Sequence, residues 1–113
     1  MALVKESEVE EFIPKGHVKC KTKEILTGSN VGAKHLSLFK TEMEIGGSAE
    51  PHKHEFEQAF YVIKGKILFR IDGKEYEVGS GDAIFFPPNT MHSMKNIGNM
   101  RAILLGIDAR ARG

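Results

Sequence analysis

The sequence predicts an all-β fold, a sandwich or barrel, and three observations lead there. Apolar and charged residues alternate with a period of two in several short runs. The 12 glycines and 4 prolines leave little room for helices of ordinary length. Turn signals recur at roughly the 8–12-residue spacing of small all-β architectures.

The elements follow in order. Residues 1–13 are acidic with scattered Leu3, Val4, Val9, Phe12 and Ile13, which fits a short helix or an arm that packs on a neighbour; helix is expected there if anywhere. From Phe39 to Ile45 apolar residues or threonine alternate with charge. Leu36, Phe39 and Met43 also stand at helical spacing, but the unbroken alternation favours a half-buried strand. Lys66 to Asp72 repeats the pattern with Ile67, Phe69 and Ile71 on one face. Asp72-Gly73 then reads as a tight hairpin turn, because that pair tolerates positive φ. Tyr76 and Val78 alternate with Glu75 and Glu77 on the returning strand. Residues 79–82 form a further turn before the strand Ala83–Phe86, which Pro87, Pro88 and Asn89 break. Met100 to Ile107 is aliphatic enough to be the last strand.

Composition bounds the function. At 113 residues the chain has the size of one domain, 1–113. Lys and Arg number 16 against 15 Asp and Glu, interspersed along the chain, so no basic footprint for nucleic acid exists. The longest uncharged stretch, Ala83 to Met94, is too short to span a membrane. The first residues lack the basic and apolar regions of a signal peptide. Cys20 is the lone cysteine, which fits a reducing, cytoplasmic compartment. It is read as a structural thiol, since Lys19 and Lys21 would point to the other face of a strand.

The chemistry concentrates around three histidines. His52 and His54 are two residues apart, so on a strand both imidazoles project from one face, and Gln58 shares their parity. Phe56, Phe60 and Val62 share it too and supply apolar walls, whereas Tyr61 has the wrong parity. His92 follows the Pro-Pro-Asn break and arrives from another strand. His52, His54, Gln58 and His92 thus form a candidate open site for one divalent metal, with positions left for water or substrate.

These residues resemble the two signature stretches of the cupin superfamily. Gly46, His52, His54, Gln58 and Gly65 keep every spacing of the first, with Gln where the family has Glu. Gly81, Pro87, Asn89, His92 and Asn96 keep the second, with Asn89 where the family has Gly. The 15 residues between Gly65 and Gly81 resemble the short spacing of small single-domain cupins. The resemblance implies a double-stranded β-helix barrel, a bound Fe, Ni, Zn, Mn or Cu ion, and a homodimer acting on a small molecule. The fixed positions also have work in the fold: Gly46, Gly65 and Gly81 suit turns with positive φ, Asn89 enters the left-handed region more readily than most residues, and Asn96 can close the next turn through its side chain.

Gln58 is the departure with chemical weight. A glutamate would neutralise one charge of the ion; an amide oxygen does not, so the site stays dicationic and the stronger Lewis acid. Imidazole-rich ligation suits Fe, Ni, Zn or Cu better than Mn. Glu42, Arg70 and Asp108 are candidate acid–base groups. His17 and His35 are read as surface or structural histidines, Met43, Met91, Met94 and Met100 as core filler, and Arg110 and Arg112 as solvated tail charges, although the resemblance also allows a tail that folds over the barrel mouth.

The superfamily resemblance implies an activity class that runs from dioxygenases to sugar isomerases. The run from His52 to Gly65, with Glu57, Gln58, Tyr61 and Val62, also resembles cupins that open unsaturated uronates. Those enzymes use an acidic residue, an aromatic and an arginine on and after the last strand. Here Asp108 and Arg110 would serve in a shifted register, and no aromatic follows Met100. The expected function is therefore a metal-dependent small-molecule enzyme, dioxygenase-like or uronate isomerase-like. The alternative is a barrel that holds a metal or small ligand without turnover.

Overall fold

A computed structural model describes residues 2–113. Among the described residues nine antiparallel strands carry the fold: β1 (Glu11–Phe12), β2 (His17–Leu26), β3 (Ser37–His52), β4 (Gln58–Lys64), β5 (Lys66–Ile71), β6 (Lys74–Gly79), β7 (Ala83–Phe86), β8 (His92–Asn96) and β9 (Ala102–Asp108). They run in the order β6-β5-β8-β3-β9-β4-β7, with β2 also on β3 and β1 on β2. The sheet curls into a nearly closed barrel, the double-stranded β-helix that the motifs imply.

The long strand β3 makes the corner. Its first half, residues 37–43, pairs with β9, and its second half pairs with β8, so that His52 faces His92. Gly46, expected at a turn, instead lies inside β3 with φ 79°, where the strand changes partners. The Asn96 amide pins this kink: Nδ2 lies 3.0 Å from the Met43 carbonyl, 3.2 Å from that of Glu44 and 2.9 Å from that of Met100. Its Oδ1 accepts from the Gly98 amide, closing the expected turn.

The period-two patterns sort residues as anticipated. Phe39, Thr41 and Met43 point inward from β3, Ile67 and Phe69 from β5, and Phe60 and Val62 from β4. Phe60, Phe69 and Phe86 pack against one another at tilted or edge-on angles with centroids 5.6–5.7 Å apart, and Phe39 meets Phe60 edge-on at 5.5 Å. Burying a phenylalanine of this kind stabilises the fold by about 1.5–3 kcal/mol. Asp72 and Gly73 take φ of 48° and 83° in the β5–β6 hairpin, and Asn89 takes 61°, as their residue types predicted.

Three features depart from the sequence expectation. A helical turn, α1 (Gly28–Val31), lies beyond the first 13 residues, started by a capping box in which Thr27 and Asn30 bond each other's backbone amides. No expected element corresponds to β2, because the side chains it turns inward, Cys20, Thr22 and Glu24, show no apolar alternation. The N-terminal arm carries only a 3-10 turn, Glu6–Glu8, and β1 lies on the edge of the same chain's β2. Glu6 ties it down, with its carboxylate 3.0 Å from Lys40 Nζ. Among the described residues no helix is long and apolar enough to cross a membrane.

Candidate metal centre

The barrel encloses a cavity of about 380 Å³ that reaches from an aromatic floor to a charged mouth. His52 ends β3 and His92 begins β8, and the two are cross-strand partners with ring centroids 4.4 Å apart. His54 lies 4.8 Å from His52 and 5.2 Å from His92 by the same measure. One ligand nitrogen from each of the three falls within 4.8 Å of the others, close enough to share a metal ion. The expected continuous strand through 52–58 is absent: residues 53–57 leave the sheet between β3 and β4, and His54 projects from that connection. His52, His54 and Gln58 nonetheless line one cavity, on a backbone that is not a strand throughout.

Backbone carbonyls orient two of the three rings. His52 Nδ1 lies 2.7 Å from the Glu50 carbonyl and His92 Nδ1 3.2 Å from the Thr90 carbonyl. A carbonyl only accepts, so each Nδ1 carries the hydrogen and leaves the Nε2 lone pair free. His92 Nε2 is the one buried side-chain nitrogen or oxygen without a hydrogen-bond partner among the described residues. Native interiors rarely leave such an atom unpaired, and a divalent cation would satisfy it. Burial, followed by the neighbouring His52 and His54, holds the His92 imidazolium pKa down to about 4. Burial and His52 also lower that of His54, so these rings favour the neutral, metal-binding form. Phe86 stacks on His92 at 4.2 Å and Phe56 on His54 at 4.6 Å. The donor set fits a divalent transition metal.

Gln58 is buried at the head of β4 and lines the same cavity. Its Nε2 donates to Asp108 Oδ1 at 2.7 Å across the β4–β9 pair. Asp108, 0% exposed, also accepts from Arg112 Nε at 2.7 Å. The other two acid–base candidates lie away from the cavity, Glu42 against Arg101 at 3.4 Å and Arg70 against Glu75.

Arg112 is not a solvated charge: its guanidinium packs over Phe39 at 4.0 Å and reaches Glu24 as well as Asp108. The Ser37 hydroxyl, donating to the Arg110 carbonyl and accepting from the Arg112 amide, fastens the tail across the barrel mouth. Arg110 lies over Phe56 at 4.5 Å and lines the cavity.

His17 also departs from expectation. It lines the cavity with its ring 6.2 Å from His52, and its Nδ1 lies 3.1 Å from the Lys15 carbonyl, the same two-residue pattern as in His52 and His92. Glu50, not singled out in the sequence, lines the cavity and no motif marks it, whereas Phe56, expected as an apolar wall, stacks on His54 from the 53–57 connection. His35 and Tyr61 are exposed as expected. Of the methionines, Met43 and Met94 are core, but Met91 and Met100 are exposed. Cys20 is buried, and burial pushes its thiol up to about 12, as a structural thiol requires.

Comparison with known proteins follows this geometry. Residues 39–108 match the family model described as a cupin domain. The tetracenomycin polyketide synthase protein TcmJ of Streptomyces glaucescens is 33% identical over 72% of this chain and 55% of its own. An oxalate-binding protein of Thermotoga maritima is 36% identical over 48% of this chain and 46% of its own. The chain thus spans about half the length of these curated relatives. The polyketide cyclase RemF of Streptomyces resistomycificus superposes with a TM-score of 0.84 at 27% identity, over 96% of this chain and 78% of that one.

Proposed function

This chain belongs to the cupin family, and on that premise we propose that it is a metal-dependent enzyme for a small, oxygen-rich anion. His52, His54 and His92 hold the ion, with the Gln58 carbonyl as fourth ligand. The observation that carries this reading is the orphaned His92 Nε2, buried and directed into a cluster of two further imidazoles. Three neutral nitrogens and a neutral amide favour Fe, Ni, Zn or Cu over Mn. When bound, the ion supplies a Lewis acid that polarises a ligand oxygen.

The protein's own residues define what that ligand looks like. Arg110 takes part in no ion pair among the described residues and extends over Phe56 into the cavity, so it binds a carboxylate or enolate oxygen. Phe39, Phe60 and Phe86 exclude water from the opposite side and accept a planar carbon skeleton. His17 and Glu50 line the cavity outside the ligand set, take part in no salt bridge among the described residues, and can move a proton at a bound substrate. A polarised 1,3-dicarbonyl or an unsaturated uronate suits this arrangement. The polyketide relatives support the first, and the run from His52 to Gly65 supports the second.

The non-catalytic alternative has one observation in its favour. Glu42 and Arg70 face away from the cavity and Asp108 is committed to Gln58 and Arg112, so no acid–base pair of carboxylates flanks the histidines. The test loads the protein separately with Fe, Ni, Mn and Zn and follows oxygen uptake and ultraviolet absorbance on 1,3-diketones, oxalate and unsaturated uronates. Turnover by a metal form, lost in His92→Ala, supports the enzyme. Ligand-induced rises in Tm without turnover of any substrate assign the binding barrel instead.

We also propose that two copies associate. Tyr61, Ile63, Phe85 and Ile107 lie on one outward face of β4, β7 and β9 and are 47%, 44%, 52% and 51% exposed. An exposed apolar patch of this kind on one sheet face can meet its own copy across a two-fold axis. The lone buried cysteine supports a reducing, cytoplasmic setting.

A further inference from the structure

The Gln58 amide is held in one of its two orientations, and the holder is a carboxylate one position outside the ligand set. An amide can present either its carbonyl or its NH₂ to the cavity, and only the carbonyl can ligate a cation. Asp108 decides between them. Its carboxylate accepts only, and Oδ2 is taken by Arg112 Nε at 2.7 Å, leaving Oδ1 for Gln58 at 2.7 Å. The group that meets Oδ1 must be the NH₂, so Gln58 Oε1 is left over. It accepts no hydrogen bond from the described residues, and Gln58 lines the cavity together with the three histidines. Arg112 is itself fixed, by Glu24 at 3.0 Å and by the Phe39 ring at 4.0 Å.

We propose that Asp108, oriented by Arg112, is the positioning residue that turns the Gln58 carbonyl toward the three histidines, so that the carboxylate missing at position 58 is supplied from position 108. This rests on the metal reading above and deepens it. In this chain the ligand is neutral while the compensating charge stands behind it, so the two residues act as one unit. Charge next to a ligand raises its donor strength, as the partners of ligating histidines do in metal sites generally.

The unit makes an unusual demand on substitutions. In Asp108→Asn, Arg112 still needs an acceptor and takes the asparagine oxygen. The asparagine NH₂ then faces Gln58, which must turn its carbonyl away and present NH₂ to the ion. In Gln58→Glu, two carboxylates confront each other. In the double variant, the asparagine NH₂ donates to one glutamate oxygen and the other oxygen is free to ligate.

The experiment titrates each purified protein with Co(II) alone, reading affinity by competition with a chelator and ligation from the visible spectrum, with circular dichroism as the control for folding. Asp108→Asn and Gln58→Glu should each weaken Co(II) binding by about 10–100-fold, the range typical of residues behind metal ligands. The double variant should recover to within about threefold of the parent or exceed it. Equal affinity in Asp108→Asn and the parent, or no recovery in the double variant, overturns the proposal. Should Asp108→Asn not fold, the comparison of Gln58→Glu with the double variant decides alone, with the double variant expected to bind at least about tenfold tighter. His92→Ala separates the two levels: full Co(II) binding there contradicts the metal reading itself, whereas loss there with no effect at position 108 contradicts only the positioning role.

Discussion

His52 and His92 face each other across β3 and β8, and each commits its Nδ1 to the carbonyl two residues before it. The strand register thus sets both the separation of the two rings and the nitrogen each one offers. This arrangement exists because β3 leaves β9 at its kink and pairs with β8 beyond it.

The buried imidazole makes the metal-free protein sensitive to acid. The His92 pKa is lowered from 6.5 to about 4 in the fold, mainly by burial. Between those values the unfolded chain takes up a proton that the folded chain refuses, so stability falls as pH falls through this window. Above pH 6.5 the contribution is fully present. The Tm of metal-free protein should decline from pH 7 toward pH 4, and His92→Asn should flatten the decline. An equal slope in the variant would assign the acid sensitivity to other groups.

Gly106 on β9 lies directly beneath the Phe39 ring. A Cβ there would fall 2.1 Å from Phe39 Cζ, so the ring must move. Phe39 in turn supports the Arg112 guanidinium and lines the cavity. Gly106→Ala should cost about 1–3 kcal/mol, the usual range for an overpacked core. The midpoint of urea unfolding checks this, and an unchanged midpoint would show that the ring shifts freely.

The outward face of β4, β7 and β9 predicts a change of association state. Phe85→Glu places a charge on the β7 edge of a patch that includes Tyr61 and Ile107. A dimer should become monomer on size exclusion with multi-angle scattering, at unchanged circular dichroism. A dimer that survives the substitution would place the contact elsewhere.

The barrel and the three histidines were legible in the sequence for definite reasons. Period-two alternation reports burial wherever one face is apolar, as from Phe39 to Met43 and from Ile67 to Ile71. The Asp72-Gly73 and Pro87-to-Asn89 punctuation reports backbone angles that few other residues adopt. β2 escaped notice because polar side chains fill its inward positions: Thr22 bonds Thr41, and Glu24 meets Arg112. The roles of His17 and Arg112 are not legible locally, because they come from contacts made by the closed barrel. Arg112 meets Glu24 from 88 positions away, and local sequence carries no trace of that pairing.

The most direct measurement is the metal content and Co(II) affinity of the parent beside His92→Ala. The parent should bind one ion per chain. The variant should lose at least about tenfold in affinity, in the 10–100-fold range or beyond that even a group behind a ligand can cost, and should keep its β-sheet circular dichroism because Phe86, Phe60 and Phe69 still fill the core. A His92→Ala protein that holds one Co(II) per chain with parental affinity would contradict the metal centre and every function built on it.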